Sequence, residues 1–128
     1  MKQILQSLAF SLLLVSSTSL VTGQSSTIGK ATISSEMVIT LDESSPLIAD
    51  YVFDISGISF KNKEAAERYF NLSQDNILKY SVNYDTKLAT VHIMIEHMAP
   101  RGWDVAKYNE YLGKVSERYR NNLMVVNE

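Results

Sequence analysis

The sequence predicts an α+β domain, and three observations carry that prediction. Tyr51 to Ile95 reads in order as a strand, a short helix and two strands. In the last two strands apolar residues alternate with polar ones, the period of a half-buried strand. From Trp103 onward Val105, Tyr108, Leu112, Val115 and Tyr119 form an apolar stripe at helical spacing. Strand, helix, strand, strand, helix is the leading part of a ferredoxin-like βαββαβ sandwich. Here it has an extra N-terminal strand in front.

Taken from the start, residues 1–23 read as a secretory signal peptide. Lys2 supplies the charged start, Leu8 to Val15 the apolar core, and Val21-Thr22-Gly23 the small residues before a cut at Gln24. The apolar run falls short of the ~20 residues that a membrane-spanning helix needs. An uncleaved anchor is the alternative. Export is therefore expected, to the periplasm or outside the cell. The chain has 128 residues, a net charge of −2 and no cysteine. After cleavage about 105 residues remain, enough for one small domain. The acidic balance leaves no footprint for nucleic acid or an anionic membrane. With no disulfide available, packing alone must hold the domain together.

Gln24 to Ser35 is rich in Ser and Thr and reads as a flexible segment. The domain proper is then 36–128. Met37 to Leu41 reads as a strand with Met37, Ile39 and Leu41 on one face. Asp42 to Pro46 is turn chemistry. Leu47 to Ile55 follows as the next strand, with Tyr51, Phe53 and Ile55 facing one way and Asp54 the other. Gly57 ends it, in a conformation that other residues would resist. Ser59 or Asn62 caps the helix that follows. Its buried face is Ala65, Ala66, Tyr69 and Phe70, and Glu64, Glu67 and Arg68 point to water. Asn71-Leu72-Ser73 fits a glycosylation sequon.

In the next strands Tyr80, Val82 and Tyr84 alternate with Ser81 and Asn83. Val91, Ile93 and Ile95 alternate with Thr90, His92, Met94 and Glu96. The turn between them is Asp85-Thr86-Lys87. Ala99-Pro100-Arg101-Gly102 breaks the chain before the last helix, which runs to about Arg120 across Gly113. The fourth strand of the sandwich has two candidates. Met37–Leu41 is favoured, pairing with Leu47–Ile55, because sequential strands are commonly neighbours. Leu123–Val126 is the other.

The stretch Tyr51 to Val91 resembles a heavy-metal-associated domain of the copper-chaperone type. Such domains carry Gly-Met-Thr-Cys-x-x-Cys after the first strand. Here Gly57-Ile58-Ser59 stands where Gly-Met-Thr would, and Asn76-Ile77 where Gly-Val would. Tyr80 to Tyr84, Asp85-Thr86-Lys87 and Ala89-Thr90-Val91 follow at the family's spacing. The resemblance implies the fold. It does not carry over the metal site, because the two cysteines fall at Phe60 and at Lys63 or Glu64. Cu(I) is held by soft sulfur ligands, and neither position supplies one.

Metal could bind elsewhere. His92, Met94 and His97 lie within one short run, and imidazole and thioether suit copper or zinc. On a strand His92, Met94 and Glu96 would share a face. The bland reading is an exposed sheet face that carries one histidine, with His97 in the following loop. No catalytic constellation is present: no cysteine nucleophile, no Gly-x-Ser-x-Gly elbow and no phosphate loop. The tyrosines read as core fillers with hydroxyls reaching the rim. The expectation is an exported binding or interaction module, not an enzyme, with an unknown protein partner and no cofactor. The alternative is a metal-handling protein using His92, Met94 and His97. A protease propeptide or inhibitor is a further alternative, resting on fold analogy alone.

Overall fold

A computed structural model describes residues 27–128. The expected signal peptide and its cut at Gln24 lie outside the described residues. Among the described residues the fold is α+β, a five-stranded mixed sheet with four α-helices. The strands are β1 (Ile28–Ile33), β2 (Ile39–Leu41), β3 (Asp50–Asp54), β4 (Leu78–Asn83) and β5 (Leu88–Ile93). The helices are α1 (Lys63–Ser73), α2 (Ile95–Met98), α3 (Val105–Lys114) and α4 (Ser116–Val126), with a 3-10 turn at Ala99–Arg101. The sheet order is β2-β1-β3-β5-β4. Only the β1–β3 pair is parallel.

Alternation places one face of every strand in the core. Ile39, Leu41, Tyr51, Phe53, Leu78, Tyr80, Ala89, Val91 and Ile93 are all buried, as the period-2 pattern requires. The opposite face carries Lys30, Thr32, Thr40, Asp54, Lys79, Ser81 and His92, all exposed. Val82 is half-buried on the core face, near the end of its strand. In α1, Asn62 caps the helix by accepting from the Ala65 amide at 2.8 Å. Ala65, Ala66, Tyr69 and Phe70 are buried, as their spacing predicts. Ser73 of the sequon is also buried, and its hydroxyl donates to the Tyr69 carbonyl at 2.8 Å.

Four expectations need correction. Residues 28–33 are not a tether but strand β1. That strand, not Met37–Leu41, lies beside β3, and it does so in parallel. Gly29 allows this. It stands opposite Tyr51, and a Cβ there would meet the Tyr51 ring at 2.7 Å. The second correction is β2, which pairs with β1 and forms the sheet edge. Third, Leu123–Val126 is not a strand; it is the last turn of α4. Its spacing explains why, since Tyr119, half-buried Leu123 and buried Val126 extend the helical stripe. Fourth, the long helix is two helices meeting at Val115 (φ −89°, ψ 0°). Beside this break the Ser116 hydroxyl donates to the Gly113 carbonyl at 2.8 Å, the local side-chain bond that bends helices.

Left-handed backbone occurs at three described residues, Met37 (φ 61°), Lys87 (φ 59°) and Gly102 (φ 68°). Gly57 is not among them. The strain at Met37 is held by its side chain, which is buried in the core.

Candidate functional site

A cleft of about 490 Å³ lies between α3 and the α2–3-10 segment, and Ile77, Met98, Trp103 and Tyr111 are its apolar walls. Its size falls within the range of small-molecule sites. Arg101, Lys107 and Lys114 bring positive charge to it, and Glu110 brings one negative charge. His97 also lines it.

Local sequence builds this arrangement. Gly102 takes the left-handed conformation and turns the chain out of the 3-10 segment. Asp104 then caps α3, accepting from the Lys107 amide at 3.0 Å. Trp103, just before the cap, packs edge-on against Tyr108 with ring centroids 5.1 Å apart. That is a hydrophobic staple, and it fixes the entry of the helix and with it the indole. Trp103 and Tyr111 lie 5.8 Å apart between centroids.

Tyr111 is held from behind. Its hydroxyl donates to Asp75 Oδ2 at 2.6 Å, while Asp75 Oδ1 accepts from the Ile77 and Leu78 amides, each at 2.8 Å. Burial, aided by the carboxylate of Asp75, pushes the Tyr111 phenol well above its ordinary range. Arg118 reaches the same Asp75 oxygen at 3.4 Å. Glu110 bridges Lys107 at 3.2 Å and Lys114 at 3.5 Å. The Lys107 ammonium, and then that of Lys114, holds the Glu110 carboxyl below its usual value. Among the described residues Arg101 makes no salt bridge.

The predicted metal ligands are not brought together as a set. His92 stands on the outer face of β5 and donates from Nδ1 to Asp50 Oδ1 at 2.8 Å. His97 donates from Nδ1 to the Asn76 carbonyl at 2.7 Å. Met94 has left the strand, because β5 ends at Ile93 and α2 begins at Ile95. The shared face of His92, Met94 and Glu96 is therefore lost. Among the described residues no three His, Asp or Glu side chains gather where a metal ion would sit. Nor is any helix among them long and apolar enough to cross a membrane.

The loop that the resemblance aligns with the metal-binding cysteines is a packing element. The Phe60 ring lies 5.5 Å from Tyr69 and 6.1 Å from Phe70, centroid to centroid. Asn127 pins the same loop: its Nδ2 donates to the Ser59 carbonyl and its Oδ1 accepts from the Lys61 amide, both at 2.8 Å. Lys61 Nζ also donates to the Glu128 carbonyl.

The tyrosines fill the core as expected, but the hydroxyls of Tyr69, Tyr80 and Tyr119 are buried and do not reach the rim. Tyr51, Tyr69, Tyr108 and Tyr119 are fully buried. The Tyr80 and Tyr119 hydroxyls share a 2.7 Å hydrogen bond. Tyr69 alone of these has a buried hydroxyl without a partner.

Sequence reasoning missed the cleft. A signal was there: Trp103, Lys107, Tyr111 and Lys114 are spaced 4, 4, 3 and form a second stripe beside the core stripe of α3. The chain matches no protein-family model, no curated protein and no solved structure.

Proposed function

We propose that the protein is a small exported binding module, a ferredoxin-like domain of heavy-metal-associated descent without its thiolate site. It works by holding a partner in the α3 cleft, not by catalysis. The partner belongs to the cell envelope or the space outside the cell. The order β3-α1-β4-β5, with β5 between β3 and β4, supports the kinship. Phe60 in the aromatic cluster and the Asn127 clamp support the loss of metal transfer from that loop. The observation that carries the binding reading is the cleft itself, a preorganised Trp103–Tyr111 wall beside three cations in a chain of net charge −2. Capture of partners by the tagged chain from its native envelope and secretome tests it. Capture should be lost in Trp103→Ala and kept in Leu88→Ser, on the exposed sheet face. Equal capture by both variants and the parent chain would contradict it.

One observation favours a metal-binding reading as the alternative. His92 donates to a carboxylate, as zinc- and copper-bound histidines commonly do, and this leaves Nε2 free to coordinate. Native mass spectra after Cu(I) or Zn(II) addition and desalting would decide it. Stoichiometric metal lost in His92→Ala with His97→Ala would establish that reading.

A further inference from the structure

We infer that the cleft recognises a small organic carboxylate with a planar apolar body. This rests on the binding reading above and names the ligand class for that site. The apolar part follows from Trp103, Tyr111, Met98 and Ile77, which offer two aromatic faces and a thioether but few hydrogen-bonding groups. The charge follows from the cations. Lys107 and Lys114 already share Glu110, so their charge is partly answered within the protein. Arg101 is not so engaged among the described residues, and its planar fork matches a carboxylate. An amine is disfavoured by the same three cations. The volume of about 490 Å³ matches a ligand group of small-molecule size.

Trp103 is the only tryptophan in the chain, so its fluorescence reports on the cleft directly. The full exported chain is titrated with 3-phenylpropionate, with 3-phenylpropionamide, with 3-phenylpropylamine and with butyrate, exciting at the red edge where only the protein absorbs. The acid should give a saturable change, with affinity on the order of tenfold above the amide, as one charge-assisted pair provides. Butyrate should bind more weakly than the aromatic acid, and the amine should give no saturable change. Arg101→Gln should bring the acid down to the affinity of the amide. Arg101 is exposed and unpaired among the described residues, so the variant should keep the parent's thermal midpoint. Equal affinities for acid and amide, or an acid affinity unmoved by Arg101→Gln, overturn the inference. If the acid has no effect while Trp103→Ala still abolishes partner capture, the ligand class is wrong and the binding module stands. If capture is also indifferent to Trp103→Ala, both fall.

Discussion

At the β2 edge of the sheet, Asn109 reaches across from α3. Its Oδ1 accepts from the Leu41 amide at 2.7 Å, and its Nδ2 donates to the Leu41 carbonyl at 3.0 Å. The side chain stands in for one residue of a missing neighbour strand. At the β4 edge the closure is local. The Gln74 side chain accepts from the Tyr80 amide at 2.9 Å, and Asp75 covers Leu78, taking its amide on Oδ1 and giving its own amide to the Leu78 carbonyl at 3.0 Å. Open strand edges invite pairing with other chains, and native folds blunt them. Both edges here are blunted, one by a partner 68 residues away and the other by the preceding loop. The lesson concerns function. With both outward groups of Leu41 and Leu78 and the outward amide of Tyr80 occupied, these edges offer fewer free backbone groups to an added strand, which agrees with the proposal that a partner is held in the cleft.

The long-range closure should be the more costly to lose. Asn109→Leu keeps the size of the side chain but strands the Leu41 amide and carbonyl in a part-buried place. It should destabilise the fold by about 2–4 kcal/mol, the cost of two buried unsatisfied groups. It should also raise self-association in light scattering. Asn109→Ala lets water in and should cost less. If Asn109→Leu leaves the urea midpoint in place, the closure at β2 carries no energy and the comparison breaks.

The halves of the core behind the two edges also differ. Behind β2 the buried side chains include Ile39, Leu41 and Leu112. Behind β4 lies the Tyr80–Tyr119 hydroxyl pair. Burial pushes the Tyr119 phenol up to about 12, against an unfolded value of ~10. A raised phenol stabilises the fold fully below the unfolded pKa. That stability drains as pH rises through the folded one, because the unfolded chain gives up its proton first. Stability should therefore fall between pH ~10 and ~12, by on the order of 2–3 kcal/mol for this group. Tyr119→Phe should make the fall shallower in urea melts taken across that range, with the share of the raised Tyr69, Tyr80 and Tyr111 phenols remaining. An equal fall in the variant would place the alkaline loss elsewhere. The smallest effect is expected at the local closure. Gln74→Ala should cost about 0.5–1 kcal/mol, one hydrogen bond where Asn109 makes two to Leu41. A loss as large as that of Asn109→Leu would show that the two edges do not differ as described.

Much of the β4 side was legible in the sequence, and much of the β2 side was not. Tyr80 and Val82, or Val91 and Ile93, alternate cleanly because one face meets a helix and the other meets water. β1 hid for a physical reason. Its inward residues are Gly29, Ala31 and Ile33 and its outward ones Ile28, Lys30 and Thr32, so neither face is clearly apolar. Gly29 reads as a strand breaker until the Tyr51 ring that needs its space is known. Leu123-Met124-Val125-Val126 reads as a strand on β-branched composition, and the helical spacing from Tyr119 overrides it. The polar run Asn71 to Asn76, which carries Gln74 and Asp75, reads as a loop. Asn109 was not, since nothing local marks a carboxamide whose partner is Leu41. The same holds for the cleft. Arg101, Trp103 and Tyr111 gain meaning only when the α2–3-10 segment is folded against α3.

Amide hydrogen exchange, resolved residue by residue in the free full chain, tests the closed-edge account most directly. The outward amides of Leu41 and Tyr80 should exchange slowly although both lie on edge strands, with Leu41 the slower because its closure is the more costly to open. Exchange at Leu41 and Tyr80 as fast as in an open chain would contradict the account, and would return the sheet edges to the front as the place where a partner binds.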